Sequence, residues 1–210
     1  MNNELFKSSQ SLIILWAVLC TDILELAKDL SYKKKMKEDK QKKSFNLKQL
    51  EITSQAVSIS EEVVNDRFNL TLSTWKKYRY DIRTFKNLKS HELVPDAFAQ
   101  IIRYGHPGPP DGLRERDFYS ICIQDHNILR ALEREKKLPL RPLLIYVITH
   151  ELVHIIRFYR FLQSFDADEK ERAAEEVRVH QLTYEMLKAI KLDDLSIILD
   201  YYAKHREMVY

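Results

Sequence analysis

The chain has 210 residues, enough for one domain with a substantial buried core, and 45% of them are hydrophobic against 31% charged, the proportions of a soluble globular protein. Its net charge of +3 is the small difference between 34 basic and 31 acidic side chains, so no nucleic acid is expected as a partner. Only two isolated cysteines, Cys20 and Cys122, are present, which excludes a disulfide framework and fits a reducing, cytoplasmic location.

The three glycines, Gly105, Gly108 and Gly112, all fall in one stretch. Few tight hairpins can form elsewhere, and helix is expected to dominate. The chain opens with an apolar run, Leu12 to Cys20, continued by Ile23, Leu24 and Leu26 at helical spacing. Its uninterrupted part is far shorter than the ~20 residues of a spanning helix, and Val18-Leu19-Cys20 is a poor cleavage site for a signal peptide. The reading is a helix buried against protein, with no transmembrane span. Lys33 to Lys43 has no apolar periodicity and no interleaved aromatic residue, so it is a charged connector and the segment through which a protein partner would bind. Residues 1–45 thus form an N-terminal helix and basic linker ahead of a domain over 46–210.

From Leu47 to about Phe85 the pattern is mostly helical, with a helix start expected at Ser58-Ile59-Ser60-Glu61-Glu62. Trp75, Tyr78, Ile82 and Phe85 recur at three- and four-residue spacing and predict one apolar helical stripe. After Pro95 a further helix is expected over Asp96 to Tyr104. Gly105 to Gly112 is a loop. His91-Glu92-Leu93-Val94-Pro95 has half of a metal-binding pattern but proline in place of the second histidine, so no catalytic role is assigned to it. Phe118 to Ile123 is aromatic and β-branched and predicts a short strand, ended by Asp125-His126-Asn127. A helical piece around Leu129 to Lys137 follows. Pro142 then suits the first turn of a helix that is apolar nearly all round.

That helix carries Thr149-His150-Glu151-Leu152-Val153-His154. Residues four apart share a helix face, so the imidazoles of His150 and His154 can reach one ion. Glu151 lies on the neighbouring flank, where a carboxylate can act as general base toward water activated by zinc. At the chain's own His and Glu frequencies the pattern arises in about 2% of shuffled sequences. Polar groups inside so apolar a helix also require partners, which favours a metal over a chance alignment.

A third ligand is expected downstream, where helical pattern runs from Asp168 to about Lys191. Ala173, Glu176, His180, Thr183, Leu187 and Ile190 form one stripe, with small alanines beside it to let this helix approach the first. Glu176 is the chosen third ligand, with Glu175 as the rival under a modest rotation. His180, one turn on, would orient a ligand, stabilise a transition-state oxyanion or bind zinc itself.

These residues resemble the zincin metallopeptidases, and among them the gluzincins, over about Phe118 to Ile190. The resemblance implies His150, His154 and Glu176 (or Glu175) as zinc ligands, Glu151 as the base, and Phe118 to Ile123 as the edge strand that pairs with extended peptide. Where gluzincins often carry an acidic residue one turn after the ligand glutamate, this chain has His180. The expected fold is α+β and predominantly helical, a zincin-like core with a small sheet. The expected function is zinc-dependent hydrolysis of a peptide or protein substrate. The alternative is a non-catalytic regulatory or interaction protein that retains the zinc site.

Overall fold

The structure, a computed structural model, describes residues 43–105 and 117–206. The N-terminal apolar helix, the basic run up to Lys42, Cys20 and all of the expected loop beyond Gly105 lie outside the described residues.

Helix α1 (Leu47–Phe68) is set off by a capping box at Asn46. The Asn46 side chain accepts from the Gln49 amide at 3.0 Å and the Gln49 side chain accepts from the Asn46 amide at 2.9 Å, which satisfies two otherwise unpaired donors. The helix start expected at Ser58 is therefore corrected: Ser58 is inside α1, its hydroxyl donating to Ser54 O at 3.3 Å. The helix ends at Asn69, which adopts the left-handed conformation at φ 50, a role asparagine tolerates.

A short helix α2 (Leu72–Trp75) leads to strand β1 (Tyr80–Arg83) and a 3-10 turn over Phe85–Asn87. The single helical stripe expected from Trp75 to Phe85 is thus divided among three elements. Cross-strand pairing decided it: Tyr80 registers with Tyr119 and Ile82 with Ile121, and period-two pairing of aromatic and β-branched residues outweighs helical spacing over so few residues. Asp96 to Tyr104 is likewise corrected from helix to strand β2 (Ala99–Tyr104). Its consecutive residues Ala99 to Ile102, Gln100 included, are all buried, and a short run covered on both faces has no period to read.

Strand β3 (Phe118–Ile123) forms where expected. It is the central strand, paired parallel with β1 and antiparallel with β2. Both of its edges are occupied, so the expectation that it pairs with substrate backbone is overturned. Asp125-His126-Asn127 opens α3 (Asp125–Arg134) rather than merely closing the strand. The buried Asp125 carboxylate accepts from the Phe45 and Phe85 amides at 2.9 and 3.1 Å. This brings Phe45, itself 1% exposed, into the packed body.

Helix α4 (Leu140–Tyr159) carries the motif and is buried without interruption from Pro142 to Phe158. It touches α1, both β2 and β3, α5 (Glu169–Leu187) and α6 (Leu195–Tyr201). On α1 the small residues Thr53, Ala56 and Ser60 face inward, and the Ser60 hydroxyl donates to Ile145 O at 3.2 Å. Asp168 caps α5, accepting from the Glu171 amide at 2.8 Å. Ala173 and Ala174 are exposed, so the alanines do not mediate the approach of α5 to α4. The fold is α+β and predominantly helical, a three-stranded sheet packed with its helices around α4. Among the described residues no helix is long and apolar enough to cross a membrane.

Candidate metal centre

Residues 146, 150, 154 and 157 fall at helical spacing on one face of α4, and 175, 176 and 180 meet them from α5. The result is a ladder of polar contacts between the two helices. The Tyr146 hydroxyl lies 2.9 Å from His180 Nδ1. His150 Nε2 lies 3.2 Å from Glu176 Oε2, and His154 Nε2 lies 3.4 Å from Glu176 Oε1. Arg157 then grips Glu175 with two hydrogen bonds, Nε to Oε1 and Nη2 to Oε2, the latter at 3.0 Å.

Both sequence candidates for the third ligand are thereby located. Glu176 joins the two histidines, and Glu175 is taken up by a buried guanidinium. His150, His154 and Glu176 form, among the described residues, the one group of three ligating side chains whose donor atoms all lie within 4.8 Å. The two Nε2 atoms are 3.1 Å apart. Zinc bonded at ~2.0–2.1 Å in tetrahedral geometry would separate its ligand atoms by about 3.3 Å, so the observed spacings fit such an ion. The chemistry of the donors points the same way. Two imidazole nitrogens and a carboxylate are a donor set that zinc accepts, and both Glu176 oxygens are buried with no hydrogen-bond partner among the described residues.

The electrostatics follow from that crowding. Burial pushes the Glu176 carboxyl up, but the two imidazoles pull it down further and hold it well below the usual range. Burial likewise lowers His154, yet the Glu176 charge more than offsets it and His154 ends up raised. His150, also buried and with less compensation, stays lowered. Glu176 and His154 thus hold one another in their charged forms. Glu151, 2% exposed, is pushed up to about 8 by burial. Its Oε2 and His150 Nδ1 are buried with no hydrogen-bond partner among the described residues.

His180 is 3% exposed. Its ring centroid lies 4.3 Å from that of His150, and its Nε2 lies 3.8 Å from Glu176 Oε2. Burial, then repulsion from His150, lowers its pKa strongly, which keeps the ring neutral. A cavity of about 10 Å³, lined in part by Ala99, His150, Glu151, His180 and Tyr202, adjoins these groups. That is about the room one water molecule needs. The structure thus brings every sequence-chosen site residue into one place.

Sequence reasoning missed four neighbours. Tyr146 and Arg157 share the face of His150 and His154, and their four- and three-residue spacing from the motif was a usable signal. Tyr202, stacked on Tyr146 at 4.1 Å, and His205, 5.2 Å from His180, arrive from the C-terminal turn, and no local pattern announces them. The half-motif glutamate Glu92 stands apart: it lies in a 3-10 turn over Ser90–Glu92, fully buried and bonded to Arg83 and Tyr104 of the sheet. Cys122, also on the sheet, has its thiol pushed up to about 11 by burial, which makes it unreactive.

No protein-family model, curated protein or solved structure matches this chain. The functional reading therefore rests on the site itself.

Proposed function

We propose that this protein is a zincin-like zinc-dependent hydrolase of peptide bonds, with His150, His154 and Glu176 as ligands and Glu151 as the general base. The observation that carries the reading is the convergence of those three donors at 3.1–3.4 Å beside a buried carboxylate. Zinc, when bound, supplies Lewis acidity that acidifies water and polarises a substrate carbonyl. Glu151 takes the proton of the attacking water and delivers it to the leaving amine. Its desolvated carboxyl holds a proton tightly enough to carry it between the two steps. A cation within a few ångströms would counter the effect of burial and favour the ionised base at the outset. His180, buried next to the cluster with its Nε2 3.8 Å from Glu176 Oε2, is placed to orient that ligand rather than to touch the reacting atoms.

A second reading is favoured by one specific observation: the cavity at the cluster has room for about one water and no larger group. A regulatory or interaction protein that retains the zinc site would need no more space than that.

The deciding experiment measures zinc per chain and hydrolysis of a peptide library in the same preparations. Near one zinc per chain is expected, lost in His150→Ala and Glu176→Ala. Glu151→Gln should keep the zinc and lose at least about 100-fold in rate. Zinc without chelator-sensitive hydrolysis would select the second reading, and absence of zinc after reconstitution would overturn both.

A further inference from the structure

The contact that lies one turn before the cluster uses a residue with no role so far. Tyr146 stands four residues before His150 on α4, and His180 four residues after Glu176 on α5. The Tyr146–His180 pair therefore repeats the His150–Glu176 pair one helical turn away. The Tyr146 ring is clamped by Tyr202, stacked at 4.1 Å and 5° between planes. Its hydroxyl is held 2.9 Å from His180 Nδ1. On the other side of the same imidazole, Nε2 faces Glu176 Oε2 at 3.8 Å.

A neutral imidazole has one N–H and one bare nitrogen. With the proton on Nδ1, the bare Nε2 would face the Glu176 carboxylate, acceptor against acceptor. With the proton on Nε2, that N–H points to the carboxylate, and the bare Nδ1 accepts from the tyrosine. One tautomer alone makes both contacts attractive. We propose that Tyr146 is a positioning residue. Its hydroxyl donates to His180 Nδ1, locks His180 as the Nε2–H tautomer, and so aims a neutral donor at the Glu176 carboxylate.

The consequence falls on Glu176. Each of its oxygens faces one motif histidine, and the His180 N–H, 3.8 Å from Oε2 and beyond hydrogen-bond distance, would bias the carboxylate electrostatically and close to a bond when Glu176 turns onto an ion. Partners that orient a ligand in this way typically change metal affinity by ~10–100-fold. Tyr146 acts on Glu176 through His180 and itself lines the small cavity beside the cluster. The effect on affinity rests on the zinc reading above, whereas the tautomer does not.

The test uses the full chain labelled with 15N, freed of metal by chelator, and long-range 1H–15N correlations of the His180 ring. The wild type should show the Nε2–H form. Tyr146→Phe, which keeps the ring and its stack on Tyr202, should show the Nδ1–H form appearing. Zinc titration against a competing chelator should show affinity weakened by about tenfold in that variant. An Nδ1–H form in the wild type, or an unchanged ring pattern in Tyr146→Phe, overturns the proposal. Should Tyr146→Phe fail to fold, the wild-type spectrum alone decides. A wild type that shows the Nε2–H form but binds no zinc would overturn the zinc reading and leave Tyr146 as the residue that positions His180.

Discussion

Glu175 and Glu176 are adjacent and chemically identical, yet the structure gives them opposite tasks. Glu175 is 5% exposed and forms a two-bonded ion pair with Arg157, itself 7% exposed. Removing one partner of such a pair strands a buried charge and typically costs ~3–5 kcal/mol. Among the described residues, the charged contacts of Glu176 are instead with imidazoles alone, two of them proposed ligands. Glu175→Ala is therefore expected to lower the free energy of unfolding by about 3 kcal/mol and to keep zinc in the folded fraction. Glu176→Gln should lose zinc at a much smaller cost in metal-free stability. Denaturant titration and metal analysis of both variants check this, and zinc loss in Glu175→Ala with no loss of stability would reverse the assignment. From sequence, both glutamates were open as the third ligand. Distinguishing them depended on a guanidinium eighteen residues away from Glu175.

At the scale of elements, the misreadings have two causes, one local and one long-range. The expected start at Ser58 took a serine-and-acid pattern for a cap, but Ser58 is exposed inside α1 and a capping box closes at Asn46. Two substitutions separate the possibilities. Asn46→Ala should cost about 1 kcal/mol, as loss of an N-cap does, whereas Ser58→Ala should be neutral or slightly stabilising within a continuous helix. Equal losses in thermal or denaturant unfolding would restore a helix start at Ser58. Tyr80–Arg83 and Ala99–Tyr104, expected as parts of helices, became strands because their partners lie on β3, outside any local window. By contrast α4 and α5 were legible. Pro142, a long apolar run and the helical pattern that resumes near Asp168 are local signals, and helical spacing is a property that four or five turns of sequence can state reliably.

At the scale of the whole molecule, a second buried network holds the sheet together. Glu92 receives the Lys89 amide at 2.6 Å, the Tyr104 hydroxyl at 2.5 Å and Arg83, whose Nε also donates to Ser120 at 2.7 Å. Asp81 lies 3.6 Å from the same guanidinium, and the Cys122 sulfur lies 3.7 Å from it. Burial pushes the Glu92 carboxyl up, but the amide, the phenol and the guanidinium together hold it below the usual carboxylate range. The unfolded chain therefore takes up this proton first. The stability that ionised Glu92 provides is complete above the ordinary carboxylate pKa, and it is lost as pH falls through that range toward the depressed folded value. Glu92→Gln is expected to lower stability at neutral pH and to flatten the loss of stability below about pH 5. Unfolding free energies measured across that range would show parallel acid limbs if the network contributes nothing.

What the sequence by itself determined was the local chemistry: two imidazoles and a flanking carboxylate at helical spacing in an apolar helix, followed by a second helical pattern with a glutamate and a histidine one turn apart. These follow from 3.6-residue periodicity and from the cost of burying polar groups without partners. The tertiary structure alone decided that Glu176 faces the histidines while Glu175 faces Arg157, that β3 is central, and that Tyr146 meets His180 under the C-terminal turn. Each of these depends on the rotation and separation of elements far apart in the chain. Those are set by packing of the whole core around α4, and no stretch of sequence states them on its own.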